Sequence, residues 1–374
     1  MSGTVLITGG DGYLGRRIAA ELLATADDRL ILTVHASSGA DLAARTAALR
    51  QEFAAASLPV QRVSTVPADL AAPDPFAAVS PAGITAVVHT AARTAFNIQQ
   101  PLARQVNLGG AQRVASFARR CPKLERLLVL STLYSAGRQT GTVAEAPLAG
   151  GRGFVNHYEW SKHAAERHVL DTCAGLPLSI ARVATVVADD TTGSVTQYNA
   201  FHNTLKLFFY GLLSLMPGDP ATRLYLTTGS FASRAVARLL GPEVPAGVYH
   251  VAPSPDETLT LGAAIDIVFS AFEADAAFRR RRLLRPAFCD LPSFRDLAAA
   301  AQGLSASPLA QAMGSVAPFA EQMFLPKEFE NDRLRSVWPE YSRTEPALLL
   351  AAVSAWLIAT RWGRASPQAT EVPR

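Results

Sequence analysis

Three features of the 374-residue chain predict an α/β fold, with a doubly wound parallel sheet followed by a smaller, mainly helical unit. Short apolar runs alternate with helical stretches, the pattern of a parallel sheet whose crossovers are helices. A glycine-rich loop joins the first apolar run to the first helix. The alternation stops after Leu178–Val183 and gives way to longer, Phe-rich helical segments.

Thr4-Val5-Leu6-Ile7 reads as the first strand and leads into Thr8-Gly9-Gly10-Asp11-Gly12-Tyr13-Leu14-Gly15, then helical Arg16–Leu23. Gly9 suits a tight turn, Gly12 lets backbone approach a pyrophosphate, and Gly15 lets the helix pack on the strand. Loop amides and the helix N-terminus would hold the phosphates. Strand, glycine loop and helix in this order predict a dinucleotide site of the Rossmann type, with Thr8, Tyr13 and Leu14 beside the three glycines.

The second strand, Leu30–Val34, ends at His35-Ala36-Ser37-Ser38. An NAD site usually carries an acid here to bind the ribose diol, and none is present. Hydroxyls and a His, with Arg45 and Arg50 further on, suit a 2′-phosphate and favour NADPH over NADH, with His35, Ser37 and Arg45 as candidate contacts. Val60–Val66 reads as the third strand and leads to Asp69-Leu70, where the acid either accepts from an adenine amino group or caps a turn. Ile84–His89 is the fourth, followed by Thr90-Ala91-Ala92, small enough for close approach of a cofactor. Asn107 lies in the next helical segment. Leu127–Leu130 is the fifth strand, and Ser131-Thr132 place hydroxyls at its carboxyl end, where α/β proteins bind ligands.

Asn156–Lys162 places Tyr158 and Lys162 four residues apart, ahead of helix-forming sequence. Positions i and i+4 share a helix face. An ammonium held beside the phenol would lower its pKa from about 10 and give a general acid near neutral pH. Lysine is scarce, occurring only as Lys123, Lys162, Lys206 and Lys327, and Tyr158 is the only tyrosine with a Lys four residues on.

Together these residues resemble an extended short-chain dehydrogenase/reductase over roughly residues 4–255. Within that superfamily, Ser131-Thr132-Leu133-Tyr134…Gly137 and Asn156-x-Tyr158-Glu159-x-Ser161-Lys162-x-x-Ala165-Glu166 are most similar to the thioester-reductase and fatty-acyl-reductase branch. The resemblance implies a catalytic set of Thr132 (or Ser131), Tyr158 and Lys162. Lys162 would also bind the nicotinamide ribose, Tyr158 would protonate the carbonyl oxygen, and Thr132 would hydrogen-bond it. It implies cofactor contacts from Asp69, Leu70, Ala91, Ala92, Asn107, Tyr158, Lys162 and Val183. The expected function is NADPH-dependent reduction of an acyl or aminoacyl thioester, carried by CoA or an acyl or peptidyl carrier protein, to an aldehyde or on to the alcohol. The alternatives are a ketone or alcohol oxidoreductase acting on an apolar small molecule, polyketide or sterol-like, and a non-catalytic dinucleotide sensor. A homodimer is a further expectation of the resemblance. On the cofactor side His35 stands where the branch has Arg, and two further departures, Arg182-Val183 where it has Arg-Pro and Leu226–Phe231 where it has Val-Pro-Val-Asp, point to a remodelled substrate side.

The expected domains are a dinucleotide-binding domain over 1–190, its sheet completed by about 222–255, and a helical substrate domain over 191–221 and 256–364. Thr196–Met216 reads as one long helix, Ser230–Leu240 as another, and Val248–Val251 as a late strand. The phenylalanines from Phe269 to Phe329 favour core packing one by one and an apolar pocket as a set. The tail from Ala365 reads as disordered.

Composition removes other classes. A net charge of +4 without an aromatic-interleaved basic cluster gives no nucleic-acid surface, and Arg279–Arg282 reads as a solvated face. Cys121, Cys173 and Cys289 fit neither a metal site nor a disulfide framework, so a reducing cytoplasm is the expected compartment. The apolar runs Leu207–Met216 and Ala347–Ala359 fall short of the roughly 20 residues of a membrane span.

Overall fold

The computed structural model describes residues 3–303, 308–341 and 345–365. Strands β1 (Thr4–Thr8), β2 (Arg29–Val34), β3 (Val63–Pro67), β4 (Ala86–His89), β5 (Arg126–Thr132), β6 (Leu178–Val183) and β7 (Gly247–Val251) form one sheet. Its order is 7-6-5-4-1-2-3 and every pairing is parallel. The order reverses beside β1, so the carboxyl ends of β1 and β4 open a crevice, the place where doubly wound sheets bind ligands.

Alternation along the strands feeds two cores. Val5, Ile7, Val88, Leu128 and Leu130 pack on one face, while Leu6, Val87, Leu127 and Val129 pack on the other. The first face is covered by α1 (Tyr13–Thr25), α2 (Gly39–Ala55) and, from the far half of the chain, Gly229–Leu239. The second face is covered by α3 (Gly109–Ala118) and α4 (His157–Thr172). A third core belongs to the second half of the chain and is built from Phe208, Phe209, Val268, Phe272, Val316, Leu350 and their neighbours.

Several elements depart from the sequence reading. β3 begins at Val63, because Val60–Arg62 form a 3-10 turn behind Pro59. The long helix expected over Thr196–Met216 is only α5 (Ala200–Phe209). Asn199 starts it late with a capping box completed by His202. At its other end Gly211, at φ +71°, and the Leu212 amide bonding back to Leu207 close it. Leu215–Pro217 then turns extended and pairs with Ala287–Cys289. Helices α6 (Leu261–Glu273), α7 (Leu291–Gln302), α8 (Pro308–Ala320) and α9 (Pro346–Ala359) complete the helical unit. Residues 366–374 of the expected disordered tail lie outside the described residues.

Candidate active site

The glycine loop is shaped by close backbone approach. Gly9 sits at φ +65°, and a Cβ on Gly15 would lie 2.1 Å from the Gly9 carbonyl oxygen. Gly12 caps α1 without a side-chain hydrogen bond, and no acid occupies the first turn. Open amides at the positive end of the helix macrodipole are therefore available to an anion, and Gly12–Gly15 border the cavity described below. The cradle fits the pyrophosphate of a dinucleotide.

Thr8 is buried beneath the loop, and its hydroxyl meets His89 Nδ1 at 2.8 Å. Burial, reinforced by the Lys162 charge, pushes His89 down to about 3, so this imidazole is neutral. Ala91 donates to the Thr8 hydroxyl, and Ala91 and Ala92 border the cavity. Thr8 thus joins the ends of β1 and β4, and it does not line the cavity itself.

At the end of β5, Thr132 accepts from the Tyr134 amide and caps the turn Leu133–Ala136. Its hydroxyl lies beside the Tyr158 phenol and favours the phenolate there. Asn156 begins α4 by accepting from the Glu159 amide at 3.0 Å. That start places Tyr158 in the first turn and Lys162 one turn later, both on the buried face. Ser131 is different: its hydroxyl donates to Glu166, on α4 one turn beyond Lys162. Glu166 is also gripped by the fully buried Arg182 at 2.8 Å. Ser131 borders the cavity with its hydroxyl proton directed to this ion pair, whereas Thr132 keeps its hydroxyl beside Tyr158.

The expected depression of the Tyr158 phenol is corrected. Burial pushes it up to about 12, and the Thr132 hydroxyl pulls only partly the other way. Lys162 donates to the Leu130 carbonyl at 2.7 Å and is itself brought down to about 8 by burial.

Other sequence candidates divide. Tyr13, Leu14 and Val183 border the cavity, and the Tyr13 hydroxyl donates to Asp189 at 2.8 Å. Asn107 is held by the Arg93 backbone and Ser161, so it braces the loop after β4, and it does not line the cavity. Asp69 accepts from the Ala71 amide, and Leu70 packs in the core. His35 is exposed, with Asp69 at 4.0 Å. Ser37 donates to Asp41, and Arg45 pairs with Asp11 and Asp41, each at 2.8 Å.

One cavity of about 880 Å³ joins these parts. It runs from Gly9–Gly15 past Thr132, Tyr158 and Lys162 into the helical unit, where Phe201, Phe208, Val268, Phe272, Phe319 and Met323 line it. Phe96 packs edge-on against both Tyr134 and Tyr158 at the junction. Of the late phenylalanines, Phe269, Phe272, Phe319 and Phe329 border the cavity, whereas Phe278 and Phe294 are core. Sequence reasoning passed over Glu159, Gln322 and Lys327. Glu159 accepts from the Val155 amide and from Gln322, and Lys327 donates to the Gly137 carbonyl at 2.6 Å. Their visible signals were the place of Glu159 inside the Tyr158–Lys162 motif and a scarce Lys at position 327.

The match that decides the family covers residues 7–236 and is to the male sterility protein model, an NAD-binding family. The chain belongs to this family. It has the parallel Rossmann-type core of an extended short-chain dehydrogenase/reductase. An isonitrile lipopeptide synthase of Streptomyces coeruleorubidus is 30% identical over 215 residues, 54% of this chain and 14% of that protein. A probable fatty acyl-CoA reductase 5 of Arabidopsis thaliana is 28% identical over 165 residues, 38% of this chain and 33% of that one. The chain therefore matches well under half the length of either relative. The terminal R domain of the myxalamid PKS-NRPS pathway superposes with a TM-score of 0.75 at 21% identity, covering 96% of this chain and 92% of that one, a likeness of fold. Among the described residues, no helix is long and apolar enough to cross a membrane.

Proposed function

We propose that the protein reduces an acyl thioester, presented on CoA or on a carrier protein, to an aldehyde with NADPH as donor. The observation that carries this reading is the single cavity in which the glycine loop, Thr132, Tyr158 and Lys162 and an apolar compartment follow one another. The named activity of the fatty acyl-CoA reductase relative supports it. The absence of an acid at the end of β2 supports NADPH, with His35, Ser37 and Arg45 nearest to a 2′-phosphate.

The nicotinamide, when bound, supplies the hydride. Gly12–Gly15 would hold its pyrophosphate, and Lys162 would bind its ribose. Thr132 and Tyr158, side by side at the cavity, orient the thioester carbonyl oxygen between them. As the carbonyl carbon gains hydride, Tyr158 gives its proton to that oxygen, yielding a hemithioacetal. Its C–S bond then breaks, the thiol leaves with a proton and the aldehyde remains. The apolar compartment takes the acyl chain and excludes water.

The test is NADPH oxidation with acyl-CoA thioesters while free thiol is measured. NADPH consumption on ketones, with no thiol from any thioester, overturns the reading in favour of a ketone reductase.

A further inference from the structure

Phe96 stands where the catalytic end of the cavity meets the apolar compartment. It lies on the loop after β4, in a turn that the Ile98 amide closes onto the Ala95 carbonyl at 3.1 Å. Its neighbours Thr94, Ala95 and Asn97 are exposed, whereas Phe96 is half-buried, and all four border the cavity. The ring packs against three others, each from a different segment. Tyr134 of the catalytic turn is 5.3 Å away and Tyr158 of α4 is 5.6 Å away, both edge-on. Phe319 of α8 lies at 5.8 Å on a tilted plane. Phe96 is thus packed both on the small cluster of Ile98, Ala103 and Tyr158 and on the third core. The root of its loop is pinned. Arg93 exchanges hydrogen bonds with Asn107 at 2.8 and 3.0 Å, and Asn107 donates at 2.9 Å to Ser161, three residues after Tyr158. The place of the ring is therefore set by the catalytic helix itself.

We propose that Phe96 is a specificity-determining residue of the reduction, a fixed neck that selects acyl groups unbranched at the carbon next to the thioester carbonyl. The proposal rests on the thioester reading and narrows its substrate class. With the carbonyl oxygen at Thr132 and Tyr158 and the chain in the apolar compartment, the first carbons of the acyl group cross Phe96. Tyr158 touches its ring on the catalytic side and Phe319 touches it on the compartment side. At these separations ring pairs are in van der Waals contact, so the ring is wedged between the two ends. A methyl or amino branch at the crossing carbon has to displace packed rings, and close-packed interiors resist the insertion of even one methylene. An unbranched chain runs along the ring and displaces nothing.

The experiment compares kcat/KM for octanoyl-CoA and 2-methyloctanoyl-CoA under saturating NADPH, read as thiol release. The native enzyme is expected to favour the unbranched ester by about tenfold or more, the usual discrimination of one extra carbon in an apolar site. In Phe96→Ala that preference is expected to disappear. Damage to the fold alone lowers both rates alike and leaves their ratio in place. An active Phe96→Ala variant with the native ratio therefore overturns the proposal, as does a native enzyme that turns over both esters equally. Should Phe96→Ala fail to fold, Phe96→Leu decides. It keeps apolar contact while removing the ring, and an unmoved ratio in it overturns the proposal. Absence of thiol from both esters in the native enzyme is a distinct result, which overturns the thioester reading and this proposal with it.

Discussion

At the residue scale, Tyr158 and Lys162 are placed by a helix start. Asn156 caps α4 through the Glu159 amide, which puts the phenol in the first turn and the ammonium one turn on. The i, i+4 spacing was legible from sequence alone, because helix geometry is periodic. The electrostatics were not legible. Desolvation depends on what surrounds the phenol, and here Phe96, Ile98 and Ala103 bury it, bringing it up to about 12. Tyr158→Phe should lower kcat by about 10²–10⁴-fold, the usual contribution of a positioned acid. NADPH affinity, measured by fluorescence titration, should remain within a few-fold, because the pyrophosphate cradle and Lys162 are untouched. Retained turnover would remove Tyr158 from its role.

At the element scale, α4 is held to β5 and β6 by Glu166. Burial alone would push its carboxyl up, but the Arg182 guanidinium and the hydrogen bonds from Arg182 and Ser131 outweigh burial and bring it below its ordinary value. Glu166→Gln strands the buried Arg182 charge and should cost about 3–5 kcal/mol of stability, read as a lower Tm. The pH dependence follows in sign. A carboxyl lowered by folding stabilises the native state above its unfolded value, and that stabilisation is lost as pH falls through the folded value. The native protein should therefore lose more stability on acidification than Glu166→Gln does. An equal loss in both would mean that the pair contributes nothing. The strands of this sheet were readable because buried parallel strands are short apolar runs between turns. The helix over Thr196–Met216 was misread because apolar periodicity continues past Phe209, and only the turn at Gly211 and the pairing of Leu215–Pro217 with Ala287–Cys289 end it. That pairing joins residues far apart in the chain and leaves no local mark.

At the scale of the whole molecule, the sheet supplies the cofactor crevice and the third core supplies an apolar compartment open to it. Glycine spacing made the crevice visible from sequence. The cavity was visible only as a surplus of phenylalanine, since which rings face it and which fill the core depends on helix rotation. Phe272 and Phe278 illustrate this, being six residues apart and both buried, yet only Phe272 lines the cavity. Among saturated acyl-CoA substrates, kcat/KM should rise with chain length until the compartment is filled. Each buried CH₂ is worth up to about 0.8 kcal/mol, close to fourfold. Independence of chain length would place the acyl group elsewhere.

The most direct measurement of the central claim is the amount of thiol released per NADPH oxidised with an acyl-CoA substrate, the carbonyl product being trapped as its hydrazone. A thioester reductase releases one thiol for each NADPH when it stops at the trapped aldehyde, and one thiol for every two NADPH when it continues to the alcohol. NADPH oxidation that leaves the thioester intact, with no free thiol, would contradict the account and move the same Thr132, Tyr158 and Lys162 to carbonyl reduction of another substrate.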